Sequence, residues 1–552
     1  MVEAFATFAF PYLPIVDLGM VLKTLQDHED SQTVASIGLL LYQAILYAGS
    51  SFVDTNYFRA EGGEFGSRMT ARTELSRRIT LLFDLGYAPS DTVEMIQVAL
   101  IMASGSETIG DWKNSWYWMG QAISLALAMK LNREQAFSPD KALLSEQRLR
   151  RRIWWTCYLR DRFLSLSLNR APRIKDADCM LAPLALSDFE CITIKAEPAS
   201  GTSGPSGYMA LFEDRAKQVT LAEICVHRLG LAKVIDIVTR VQQAYDQSED
   251  EIAEAEASGW LERAFSKAEG ALEYWLISLP PSCVYRKTRN VDRSSEPIVV
   301  NRNHLHMAFH TLRYTLHRPR FLPTSPRRRD PTAKLSSDIS GARTISSAIH
   351  ISLMTQELDI LGLISYLPVS GVTVIFPAIA ISLLEIKSAS TIQQQWAAQR
   401  FVICFKAMEI LREVYQTAGA AIAYLVKALE AASLSLDDVV LKAGRYDEGA
   451  LVTDFMETWH PALLLDESVA RDYEIMGGLD AYLQGEEDPF RDGGSALGPT
   501  TCGLLGTACN NALKLKENDA DAVAVLNWTL GMGDSVFKGL EQMATSQPLW
   551  SN

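Results

Sequence analysis

The sequence predicts an all-α fold, a large multi-helical array of packed helical hairpins followed by an acidic C-terminal extension. Three observations carry that expectation. Apolar residues recur at spacings of three and four through most of the first 435 positions, the period of helices that bury one face. A chain of 552 residues with 48% hydrophobic content can bury a large core, in one big helical unit or two tightly joined ones. Composition then shifts: residues 447–492 hold 13 Asp or Glu against two Arg, a net −11 out of the chain's −14.

Residues 1–33 read as a lead-in, because Glu3 precedes the apolar run and no basic residue does, which is not the charge order of a secretory signal. From Val34 to Val53, Leu40, Leu41, Ala44, Ile45 and Ala48 fall on one helical face. Pro89 to Met102 and Ser115 to Leu131 repeat the habit. Trp112, Trp116 and Trp118 are candidates to line a ligand pocket, although aromatics at such spacing more often pack against neighbouring helices.

Glu146 to Asp188 is the most informative stretch. Leu149, Ile153, Cys157, Leu164 and Leu168 share a buried face, which leaves Arg150, Arg151 and Arg160 facing water. Trp154 and Trp155 are adjacent and cannot share one face, so neighbouring helices must cover this helix from two sides. Asn169 tolerates positive φ and Pro172 prevents continuation, so the helix should stop near Leu168, with Arg170 and Asp178 in the following loop.

The order of Arg150, Arg151 and Arg152, the Trp154-Trp155 pair, Asp161-Arg162, a tight turn at Asn169-Arg170-Ala171 and Asp178-Cys179 resembles the regulatory, or middle homology, domain of fungal zinc binuclear cluster transcription factors, closest to the cutinase and xylanolytic regulator type. Asn169 stands where that pattern has glycine, and Asn is the next best residue for positive φ. A further match lies at His317-Arg318-Pro319, where a similar helix ends in the family. The likeness covers roughly residues 5–435, so residues 34–435 are expected to form the regulatory domain. It implies nuclear regulation of RNA polymerase II transcription, with coactivators or other transcription proteins as partners, and it admits a small-molecule inducer and a homodimer. The family's six-cysteine zinc cluster, its means of binding DNA, is expected only in an upstream module lacking from this chain; no cofactor is expected here. The alternative is a stand-alone module that binds a ligand or partner and has lost DNA binding.

Ala196 to Gly207 is rich in Gly, Ser and Pro and reads as a surface loop. Phe212 to Tyr245 and Gly259 to Leu279 resume helical patterning, and residues 323–340 read as a second exposed linker. Ile360 to Leu384 is uncharged and long enough to cross a bilayer, but Pro368, Gly371 and Pro377 favour two buried helices split at the prolines, with no membrane partner. Residues 436–499 form an acidic linker or an activation segment. There Phe455, Trp459, Tyr473 and Leu483 alternate with acids, as in segments that fold on a coactivator. Residues 500–552 return to a helical pattern.

Nothing in the chain spells out an enzyme. No phosphate-cradling glycine loop, dinucleotide fingerprint or nucleophile elbow occurs. His306 and His310 have the spacing of two metal ligands, yet Met307 stands where a zinc hydrolase needs glutamate. No Cys-x-x-Cys pair exists among the eight cysteines, which read as thiols in a reducing compartment. The excess of negative charge opposes tight binding to a phosphate backbone.

Overall fold

A computed structural model describes residues 1–26, 37–59, 65–86, 91–105, 113–134, 140–192, 209–245, 259–321, 331–388, 391–431 and 434–444. Trp112, the loop at 196–207, the acidic segment with Phe455, Trp459, Tyr473 and Leu483, and the stretch 500–552 lie outside the described residues.

Among the described residues the fold is all helical, with no strand beyond one isolated bridge between Arg133 and Met180. The chain opens with α1 (Val2–Ala4), which widens into a π-turn over Phe5–Ala9, and α2 (Leu18–Gln26). There follow α3 (Leu39–Ser50), α4 (Thr55–Arg59), α5 (Arg68–Asp84), α6 (Thr92–Ala103) and α7 (Ser115–Ala128). Between the long α8 (Lys141–Leu168) and α9 (Arg215–Tyr245) the described residues form three single turns, Asp176–Asp178, Leu186–Asp188 and Met209–Phe212. The second half comprises α10 (Trp260–Ile277), α11 (Glu296–Phe321), α12 (Pro331–Ile360), α13 (Ser370–Ser388), α14 (Thr391–Arg412), α15 (Gln416–Ala431) and α16 (Leu436–Ala443). Most helices pack on a neighbour in sequence, α6 on α7, α11 on α12 and α13 on α14, which is the hairpin array expected from the pattern.

Local chemistry sets the helix ends. The side chains of Ser67, Asp91 and Asn114 accept the first free N–H groups of α5, α6 and α7, from Thr70, Val93 and Trp116 respectively. Helix α8 stops at Leu168 as its sequence requires. Asn169 takes φ 49°, and the Arg170 and Asn169 N–H groups return to the Ser165 and Leu166 carbonyls, closing the last turn.

Three departures from the sequence reading matter. Residues expected as a lead-in are core: Phe5, Phe8, Tyr12, Leu13, Ile15 and Val16 are all buried. Their apolar run has no helical period because it wraps across several helices instead of lying along one. Helix α12 starts at Pro331, inside the stretch read as exposed linker, and Ser340 within it is buried. Pro377 lies inside one continuous helix rather than splitting two, because flanking Ile375, Ala378, Ile379 and Leu383 are fully buried and hold the helix together. The Val374 carbonyl, one turn before that proline, accepts the Thr311 hydroxyl at 3.4 Å. Likewise α11 runs on past Pro319 to Phe321. Among the described residues no helix is long and apolar enough to cross a membrane.

Candidate functional site

The N-terminal segment crosses α8, and α8 holds it with arginines. Arg152 donates to the carbonyls of Pro14 at 2.9 Å, Val16 at 3.2 Å and Asp188 at 2.7 Å. A guanidinium is matched to this task, since its rigid fork of donors can satisfy several carbonyls that left the regular ladder. Burial pulls the Arg152 pKa down, against the fields of Glu190, Asp17 and Asp188. Next to it, Arg151 pairs with Asp188 at 2.7 Å and Glu134 at 3.1 Å, and Arg150 reaches Glu146 one turn earlier at 3.5 Å.

Trp154 and Trp155 are both buried although consecutive helical residues point about 100° apart, so α8 is covered over more than one face. The Trp155 indole donates to the Ala182 carbonyl at 2.8 Å. Asp161 accepts the Arg173 and Ile174 N–H groups at 2.8 and 2.9 Å; burial raises its pKa, and those two hydrogen bonds oppose the rise. Arg162 does not pair with Asp161. It bridges Asp176 at 2.5 Å and Asp236 of α9 at 3.2 Å, with Tyr158 under its guanidinium. Asp178 closes the turn at Lys175, and half-buried Cys179 has its thiol pushed up to about 11 by burial. The whole signature is therefore a set of ties between α8, the loop after it, α9 and the N-terminal segment.

His317 holds a second tie, from α11 to Glu269 of α10 at 2.8 Å and to Ser340 of α12 at 3.2 Å. Burial works against the Glu269 carboxylate, but His317 and the nearby Arg343 and Arg320 outweigh it and hold its pKa below the usual range. Arg318 and Pro319 are buried beside it.

Trp116 and Trp118 do not converge on one wall. Trp118 is in the core, edge-on to Phe83 at 5.0 Å, while Trp116 lies under Arg173 at 3.6 Å and Arg170 at 5.2 Å. A small cavity of about 70 Å³ occurs elsewhere, against the N-terminal segment, lined by Phe10, Pro14, Leu186, Phe189 and Leu221.

Arg160 corrects the sequence reading that placed it in water. It is buried, donates to the Tyr12 hydroxyl and the Ala103 carbonyl, and lies 5.2 Å from the Tyr12 ring centre. Arg228 of α9 lies 4.9 Å from the same ring and donates to Asn301 at 3.0 Å. Tyr12 continues to Ser370 at 2.9 Å, and Ser370 to His304 Nε2 at 2.9 Å. Sequence reasoning missed Tyr12, Arg228 and Ser370. One signal was available: Arg228 shares the apolar face of Cys225, Leu229 and Ala232, and a charge there needs a reason.

Residues 2–266 match the family described as fungal specific transcription factor domain. Over 458 residues the chain is 34% identical to cutinase transcription factor 1 beta of Fusarium vanettenii, a likeness covering 79% of this chain and 50% of that protein. It is 26% identical over 437 residues to transcription factor cpaR of Aspergillus oryzae, covering 77% and 70%. With the acetamidase regulatory protein of Aspergillus oryzae (strain ATCC 42149 / RIB 40) it shares 24% identity over 425 residues, covering 76% and 46%. The chain thus spans half the length of the cutinase factor. No solved structure matches it.

Proposed function

The chain carries a regulatory domain of the fungal transcription factor family, and from that premise we propose that it controls RNA polymerase II transcription in the nucleus as part of a sequence-specific regulator. The observation that supports this most is the 34% identity to cutinase transcription factor 1 beta over 79% of this chain, a span far larger than any one motif. The ties from α8 are consistent with a control element. They join the N-terminal segment, the loop after α8 and α9 into one unit, so a ligand or partner that favours one arrangement of that unit acts on all of it. Transcription proteins, a small-molecule inducer and a second copy of the chain are the partners this reading calls for. It assigns no reaction and no cofactor to the helical body.

The test tethers the chain to an unrelated DNA-binding domain upstream of a reporter in a fungal host. Reporter output should depart several-fold, up or down, from that of the DNA-binding domain alone. Output unchanged across growth conditions, from a fusion shown to be intact and nuclear, would overturn the reading.

A further inference from the structure

Two guanidiniums in the core have no carboxylate. Among the described residues, Arg160 and Arg228 make no ion pair, and Arg228 is 1% exposed. Elsewhere in the core, Arg162 and Arg400 pair with carboxylates, Arg152 is held by three carbonyls, and Arg72 by the Gly105 carbonyl and the Ser51 and Tyr47 hydroxyls. An isolated charge taken out of water costs several kcal/mol even after relaxation, so two cations beside one ring call for a compensating negative group.

The hydrogen bonds around them show what kind of group. Arg160 donates to the Tyr12 oxygen, so the Tyr12 proton goes to Ser370 and the Ser370 proton to His304 Nε2. That chain places the remaining imidazole proton on Nδ1. Within this cluster the buried nitrogens without a hydrogen-bond partner are then Arg160 Nε, Arg228 Nε, Arg228 Nη1 and His304 Nδ1, and all four are donors. His304 is held neutral by burial and by the fields of Arg228 and Arg160, so the cluster's excess positive charge resides on the two arginines. For Arg228 the attractive fields come from Cys225, Tyr12 and Cys283, and burial pushes the Cys225 thiol up to about 11, which keeps it neutral.

We propose that Arg228, with Arg160 and His304, forms a buried receptor for one small oxyanion, a carboxylate or phosphate group. An oxyanion has several lone pairs and no donor of its own, which matches a cluster of orphaned donors carrying net positive charge. Tyr12 touches both guanidiniums and is part of the N-terminal segment, so the anion gains access only when that segment lifts, and once bound it fastens the segment to α8 and α9. The role of such binding in control rests on the function proposed above; the binding itself does not.

The experiment uses the whole chain, with inorganic phosphate and malonate as separate probes and sodium chloride at matched ionic strength as reference. Phosphate, malonate or both should raise the melting temperature along a saturating curve, since an anion at a hundredfold excess over its Kd shifts the folding equilibrium about 100-fold. Which probe acts distinguishes a phosphate ligand from a carboxylate one. The curve shape matters because salt exclusion also stabilises proteins, but without saturation. Arg228→Met should abolish the effect, and Tyr12→Phe, which keeps the ring and removes the hydroxyl partner of Arg160, should weaken apparent affinity about tenfold if the hydroxyl orients that guanidinium. Calorimetric titration of the unaltered chain gives the same answer if either variant fails to fold. Melting curves and titrations indistinguishable from chloride, or a response retained in a folded Arg228→Met, would overturn the proposal. Neither result touches the reporter assay, and an inert reporter beside clear anion binding would sink the regulatory reading alone.

Discussion

Arg160 on α8 and Arg228 on α9 approach the same Tyr12 ring, at 5.2 and 4.9 Å from its centre. Two arginines 68 positions apart, on different helices, are thereby joined through a residue from the start of the chain. Each cation gains from the ring's negative face, but an interaction of about 2 kcal/mol when desolvated is smaller than the cost of burying an unpaired charge. The arrangement therefore stabilises position more than it offsets charge, and it makes the N-terminal segment a working part of the body.

Trp154 on α8 is fully buried and its neighbour Trp155 is 5% exposed. Trp154→Ala should cost about 3–5 kcal/mol, the usual range for removing a core aromatic. Trp155→Ala should add to its own cavity the loss of a hydrogen bond to the Ala182 carbonyl. Denaturant unfolding checks both. Midpoints equal to that of the unaltered chain would mean that α8 is not at the centre of the fold.

At Asn169, φ is 49°, and the Arg170 N–H that returns to the Ser165 carbonyl depends on that conformation. Asn169→Gly should leave stability within a few tenths of a kcal/mol or raise it, whereas Asn169→Val should cost about 1–2 kcal/mol, the penalty of a branched side chain in the left-handed region. Thermal melting of the two variants side by side gives the comparison, and equal melting points would remove the backbone argument.

Those two predictions concern features that were legible in the sequence. The helix end at Leu168 follows from Asn169 and Pro172, and two-sided coverage of α8 follows from adjacent tryptophans, because both are local arguments. What stayed hidden is long-range. Arg160 satisfied every rule for a solvent-facing residue until Tyr12, 148 positions earlier, was seen to sit against it. The lead-in became core for the same reason: nothing near Phe5 or Phe8 in sequence announces the helices that cover them. Pro377 shows a different limit, since a local helix breaker is overridden when burial on both sides holds the helix.

His304, His306 and His310 lie on α11 and all three have lowered pKa values, first from burial. Positive charge adds to the effect: Arg228 and Arg160 for His304, Arg302 and His350 for His306, and His350 and His306 for His310. In each case the unfolded chain takes up a proton near pH 6.5 and the folded chain does so only at lower pH, about 4 for His306. The sign follows from linkage. Their stabilising contribution is complete above about pH 6.5 and is lost as pH falls toward the folded values, by up to about 1.4 kcal/mol per pH unit for each proton. Denaturant unfolding between those limits should show stability rising with pH, and His306→Gln should reduce the slope. A flat profile over that window would contradict the burial of this row.

The acidic segment 447–492 lies outside the described residues, so its role must be argued from composition. The activation reading supposes that a net charge of −11 favours solvation of Phe455, Trp459, Tyr473 and Leu483 until a coactivator groove receives them. If recruitment of a coactivator is its task, aromatic character should matter more than charge. Tethered alone to an unrelated DNA-binding domain, the segment should activate a reporter, and Phe455→Ala with Trp459→Ala should remove most of that activity while leaving the −11 intact. Two aromatic anchors at a well-packed groove are worth about 2 kcal/mol or more each, enough to lower affinity by well over tenfold. A wild-type segment that is inert, or a double variant as active as wild type, would return the stretch to an acidic linker whose charge serves solubility.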